Sequence, residues 1–203
     1  MRDPASAPSL VEKFLIVAPF MLVNSAVYLY LNHNPTSPPR ELPMLWVDEH
    51  LPFLVWTVWP YTFLMVLNVA LPFLIETRAL LYRALRAYVI GISLNIVVWI
   101  AYPTTYPRPP LPRGEGISQI WYLTLMSADN PTNCLPSGHV TIPAVMVWAL
   151  SRQWPERAPA MWLGFLLLTV TILTTKQHYL WDLPAGLATA AIGVFCTTRC
   201  RRS

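Results

Sequence analysis

Two histidines stand in short polar motifs at the ends of apolar segments: Pro136-Ser137-Gly138-His139, and His178-Tyr179-Leu180-Trp181-Asp182 with Thr174-Thr175-Lys176-Gln177 before it. Ser137 has a preferred N-cap side chain, Pro136 fixes the approach of the chain, and Gly138 leaves the backbone open to a ligand. Free amides in a first helical turn, at the positive end of the helix dipole, favour an anion such as phosphate. His139 in that turn can donate a proton to a leaving oxygen. The plainer reading is a helix cap with an interfacial histidine. His178 and Asp182 are four residues apart, so a helix beginning near His178 places both on one face. The carboxylate can then accept a proton from one ring nitrogen and fix the tautomer, leaving the other nitrogen as nucleophile or base. The alternative is a His-Asp pair that only anchors two helices. Asp182 heads an apolar span, where an ionisable group is costly and usually faces the interior with a partner.

Chemistry on phosphate also needs fixed positive charge, because phosphoryl transfer is mostly positioning and electrostatics. Arg108 and Lys176 are candidates. Arg113 is a third, although its Gly/Pro-rich surroundings read more simply as a solvated loop, and Lys176 reads equally as an interface anchor.

The elements that must position these groups are membrane spans. Of 203 residues, 55% are hydrophobic and 12% charged, too apolar for an ordinary soluble domain and long enough for one membrane bundle. We therefore read residues 1–203 as a single integral membrane domain in the lipid bilayer, with the motifs inside residues 102–186. Nine Trp and nine Tyr suit interfacial belts. The net charge of +4 comes mainly from Arg and has no basic, aromatic-interleaved face, so a nucleic-acid partner is not expected. Cys134, Cys196 and Cys200 lack CxxC or Cys/His metal spacing, which predicts free thiols and no metal.

Apolar runs cover Phe14 to Leu31, Leu51 to Ile75, Leu81 to Tyr102, Val140 to Leu150, Ala158 to Thr175 and Tyr179 to Thr198, an all-α bundle of six spans. The fourth run is short and must borrow its polar start at Ser137. The first is too long, and lacks the small-residue cleavage pattern, for a signal peptide. Asn32 to His50 and Tyr102 to Gly116 are Pro-rich connections that cannot be regular helices. In the first of these, Asp48, Glu49 and His50 read as a solvated loop in preference to hydroxyl ligands. Ile117 to Met126 reads as an interfacial helix.

Six spans put Arg2, Lys13, Arg78, Arg83, Arg86, Arg152, Arg157, Arg199, Arg201 and Arg202 on one side, and Arg40, Arg108, Arg113 and Lys176 on the other. The excess predicts cytoplasmic termini and an extracytoplasmic site.

Taken together, Pro107-Arg108-Pro109, Pro136-Ser137-Gly138-His139 and His178 with Asp182 resemble the three signature motifs of the type 2 phosphatidic acid phosphatase (PAP2) superfamily, in the usual order. The resemblance implies a six-span core of the PAP2 type, no metal or other cofactor, and a phosphohistidine intermediate. It implies His178 as nucleophile, Asp182 as its orienting group and His139 as the acid, with Ser137, Gly138 and Arg108 on the phosphoryl oxygens. Two cations of the phosphatase pattern are replaced here: a Lys by Ala101, and a Ser-Arg pair by Thr171-Ile172. Lys176 is available as a substitute. The local pattern His-Tyr-x-x-Asp after Thr-Thr-Lys-Gln is similar to the inositol phosphorylceramide synthase-like branch. The expected function is accordingly a membrane lipid-phosphate phosphatase acting on a lipid phosphate or pyrophosphate. The alternative is a phosphotransferase that passes a phosphoryl-alcohol headgroup to an alcohol, and the remaining option is a non-catalytic membrane protein that keeps the scaffold.

Overall fold

In the computed structural model, residues 7–111 and 116–199 are described. They form eight α-helices: α1 (Leu10–His33), α2 (Trp46–His50), α3 (Val58–Ala70), α4 (Arg78–Ala101), α5 (Ile117–Ala128), α6 (Gly138–Gln153), α7 (Ala158–Thr174) and α8 (Asp182–Arg199). Two-residue strands β1 (Arg40–Glu41) and β2 (Thr104–Thr105) join the Pro-rich connections. Side-chain caps begin two of the long helices. Ser9 Oγ accepts the Glu12 amide at 3.1 Å ahead of α1, and Thr77 Oγ1 accepts the Leu80 amide at 3.3 Å ahead of α4.

Helix α6 is the hub, with eleven of its sixteen residues buried, and α3, α4, α7 and α8 pack around it. Small residues let these backbones approach. A Cβ on Gly193 of α8 would collide with the Ala87 carbonyl of α4, and one on Gly91 would lie 3.1 Å from Thr141 Cγ2 of α6. Polar groups inside this tight interface bond to one another, although Asn95 Oδ1 has no partner: Asn95 Nδ2 donates to Thr141 Oγ1 at 2.9 Å, and Thr141 and Thr189 hydroxyls meet at 2.9 Å. The same three helices carry or adjoin Ser137, His139 and Asp182, so the tight packing sets the spacing of the site.

Large apolar side chains remain exposed along α1, α3 and α7, among them Phe14, Leu22, Phe63, Val66, Leu163 and Leu167. Such rows suit lipid contact. Four segments are long and apolar enough to cross a bilayer: Leu10–His33, Val55–Leu74, Arg78–Ala101 and Pro155–Thr174. This corrects the expected six spans. Helix α6 rises only about 24 Å, below the roughly 30 Å hydrocarbon thickness, and starts on polar residues. Helix α8 is longer but begins on an aspartate and is built largely from Gly, Ala and Thr. Both runs do form helices: α6 is largely enclosed by protein, whereas α8 is covered on one side and leaves Ile192 and Phe195 exposed.

Opposite the site, Arg78 pairs with Glu12 through two 2.6 Å hydrogen bonds, and Lys13 Nζ donates to the Phe73 carbonyl at 2.7 Å. At the site end β1 and β2 run parallel, with Arg40 opposite Thr104 and Glu41 opposite Thr105. The helix expected over Ile117 to Met126 is present as α5. Asn32 to His50 is not wholly irregular, since it contains β1 and α2. Cys134 and Cys196 are free thiols; Cys200, Arg113, Arg2, Arg201 and Arg202 lie outside the described residues.

Candidate active site

Helix α8 begins at Asp182, not near His178, so the i,i+4 contact is made across a turn rather than along a helix face. Asp182 Oδ2 accepts the Tyr179 amide at 3.0 Å and lies 2.8 Å from His178 Nδ1. The Cys134 carbonyl approaches the same ring nitrogen at 3.1 Å. A carboxylate and a carbonyl can only accept, so Nδ1 carries the proton. Nε2 then holds the lone pair, and it faces Ser137 Oγ at 3.4 Å.

Ser137 is the N-cap residue of α6, but its side chain makes no cap bond and is turned to His178 instead. Its own amide reaches the Asp182 carbonyl at 3.4 Å. At the start of α6 the Gly138 and His139 amides have no protein acceptor, which leaves two backbone donors unused in the first turn. The His139 ring lies 5.7 Å from that of His178, nearly perpendicular to it, and its Nε2 is 3.2 Å from Tyr61 OH. Trp99 Nε1 holds the loop before α6 by donating to the Pro136 carbonyl at 3.1 Å.

Arg108 is placed by Asp129. Its NH1 donates to the Asp129 carbonyl at 2.8 Å, its NH2 lies 3.7 Å from the Asp129 carboxylate, and its Nε is buried with no partner. Tyr28 OH donates to the other Asp129 oxygen at 2.6 Å. Burial pushes the Asp129 carboxyl above the usual carboxylate range, with the Tyr28 hydrogen bond and Arg108 opposing it.

Lys176 is placed apart from these groups. It adopts a left-handed backbone conformation (φ 54°), and its Nζ donates to the Asp48 carbonyl at 2.8 Å. Burial pushes the ammonium down from its ordinary range, with Asp48 opposing. Asp48 is itself buried, and its carboxylate accepts the Leu45 amide at 2.9 Å and the Leu180 amide at 2.8 Å. It is thus a strut, not part of a solvated loop, whereas its neighbours Glu49 and His50 are exposed.

Tyr28, Tyr61, Asn32 and Asp129 do not stand out by residue type and spacing, and Asp48 does so only as part of an expected solvated loop. Their roles come from contacts across roughly 80 to 130 residues of chain, which no local motif encodes. A weak signal did exist for Asp129, an ionisable residue in the short polar loop that leads into Ser137.

A cavity of about 330 Å³ opens beside the two histidines. Its walls come from α1, α3 and α5, with Ile92 and Trp99 of α4 and Ile142 of α6, and His139, His178, Gly138 and Asp129 lie at its polar end. Cys134, His178 and Asp182 offer ligand atoms within 4.8 Å of one another. Burial and the nearby carboxylates hold Cys134 as a neutral thiol, however, and His178 Nδ1 is already committed to Asp182. That donor set fits a hydrogen-bonded cluster better than a metal centre. A histidine with an ordered tautomer, a second histidine on the facing wall and convergent donors is an arrangement suited to phosphoryl transfer.

The profile of the PAP2 superfamily matches residues 39–196, which include Arg108, both histidine motifs and Asp182. No curated protein sequence matches the chain.

Proposed function

Because the chain belongs to the PAP2 superfamily, we propose that it is a membrane lipid-phosphate phosphatase working through a phosphohistidine at His178. The observation that carries this reading is the 2.8 Å contact between His178 Nδ1 and Asp182, which leaves Nε2 free beside the cavity. A lipid phosphate or pyrophosphate seats its phosphorus at Nε2. The Nε2 lone pair forms a P–N bond as the P–O bond to the lipid breaks, and His139 gives its proton to the leaving oxygen. Water then attacks phosphorus and returns a proton to His139, and the P–N bond breaks to release phosphate. Arg108, the Ser137 hydroxyl and the Gly138 amide supply the donors for the phosphoryl oxygens. Lys176 assists through the Asp48 strut that it holds. The cycle draws on no cofactor.

Turnover of labelled lipid phosphate by purified protein tests the reading. Free phosphate should form, and His178→Asn or His139→Asn should abolish it without loss of folded protein. Unchanged turnover in either variant would sink the mechanism.

Charge favours a second reading. Among the described residues Arg108 is the one cation joined to the cavity end, and Asp129 already balances part of it. Ala101, Thr171 and Ile172 supply none where the phosphatase pattern has cations. A singly charged phosphodiester suits such a site better than a doubly charged monoester. The same first half-reaction would then feed an alcohol acceptor, as in the inositol phosphorylceramide synthase-like branch. A new phospholipid formed only when alcohol is supplied would select this reading.

The site faces the extracytoplasmic side in either case. Among described residues Lys13, Arg78, Arg83, Arg86, Arg152, Arg157 and Arg199 lie toward the opposite end, against Arg40, Arg108 and Lys176 at the site end.

A further inference from the structure

The cavity that reaches the histidines is lined at its far end by Asn24 of α1 and Asn68 of α3. Neither carboxamide has a hydrogen-bond partner, and both side-chain oxygens are buried. An amide left unpaired in an apolar span is costly and marks a place where something else completes it. Their positions agree. Asn68 is seven residues beyond Tyr61, the neighbour of His139, and Asn24 is four residues before Tyr28, the partner of Asp129. Both therefore lie about 6–10 Å along their helices from the polar end, on walls that face one cavity. That is the depth of the segment joining a lipid's phosphate to its chains.

We infer that Asn24 and Asn68 form a subsite for a hydrogen-bonding group in that segment, an amide or a hydroxyl. The inference rests on the reading of the site as one for lipid phosphates. A carboxamide presents a donor and an acceptor side by side. An ester linkage can accept from its N–H but leaves its oxygen unpaired, whereas an amide or hydroxyl satisfies both. Asn24 precedes residues 39–196, so this wall of the cavity lies outside the matched family region.

The test uses full-length protein carrying His178→Asn, so that binding is read without turnover. The probes are dioleoylglycerol phosphate and its analogue whose central ester is an amide. The amide lipid should bind about tenfold tighter, the scale of one well-placed hydrogen bond. Asn24→Leu with Asn68→Leu should bring the ratio to about one, with the ester lipid changed little. Each single variant should give part of the effect and serves if the double variant does not fold. Equal binding of the two lipids by the asparagine-bearing protein, a preference that survives both substitutions, or no binding of either lipid overturns the subsite. Failure of the protein with native His178 to turn over any lipid phosphate would instead overturn the phosphatase reading, since the binding ratio needs no catalysis.

Discussion

Gly186 of α8 lies against Ser137, the N-cap of α6, so closely that a Cβ at position 186 would stand 2.8 Å from the Ser137 carbonyl oxygen and 2.8 Å from Val140 Cβ. Ser137 is the residue whose hydroxyl faces His178 Nε2, so this helix contact sets the gap between the two motifs.

Gly186→Ala should therefore lower both stability and turnover. Overpacking of this kind costs about 1–3 kcal/mol. Gly193→Ala, which collides with Ala87 far from the site, should cost similar stability but a smaller share of turnover measured on folded protein. Thermal unfolding and kcat for both variants make the comparison; equal loss of kcat would mean that the Gly186 contact does not position Ser137.

In the proposed mechanism Asp182 acts on His178 through the tautomer. Asp182→Asn can present its N–H to the ring and favour the wrong nitrogen, so turnover should fall by about 10³–10⁴-fold with little change in KM. A KM effect without loss of kcat would assign Asp182 to binding instead.

Asp129 supplies a pH dependence. Its carboxyl is held above the ordinary range by burial, so the folded chain binds this proton more tightly than the unfolded chain does. Stability from this group is therefore present at low pH and lost as pH rises from about 4 through the raised value. Asp129→Asn has no such loss, and the Tm of the variant relative to the native protein should climb with pH across that window. A constant Tm difference would contradict the burial argument.

Lys176 discriminates a strut from a phosphate ligand. Its ammonium is spent on the Asp48 carbonyl, and Lys176→Met should cost about 1.5–3 kcal/mol of stability while leaving affinity for inorganic phosphate nearly unchanged. Loss of phosphate affinity alone would place Lys176 on the substrate.

The residues to which the proposal gives chemistry stand out in the sequence because phosphoryl transfer restricts their types: a histidine with a carboxylate, a second histidine at a helix start, an arginine between prolines. Helix positions were also legible as apolar runs. The span count is not, because an apolar run does not by itself give a helix long and apolar enough to cross: α6 has only 16 residues, and α8 begins on Asp182 and is diluted by Gly, Ala and Thr. Tyr61, Asp129 and the buried role of Asp48 escaped for a related reason. Each is one polar residue in an unremarkable segment, and only the folded chain brings Tyr61 to His139, Asp129 to Arg108 and Asp48 to the Leu180 amide. Ser137 shows the limit from the other side: its type suggested a cap, but its hydroxyl is used at His178.

The central claim is that His178 Nε2 attacks phosphorus, and rapid acid-free quenching of the protein with radiolabelled lipid phosphate tests it directly. A base-stable, acid-labile phosphoryl group should appear on His178, mapped by peptide mass spectrometry and absent from His178→Asn. Label on any other residue, or normal turnover by His178→Asn, would contradict it.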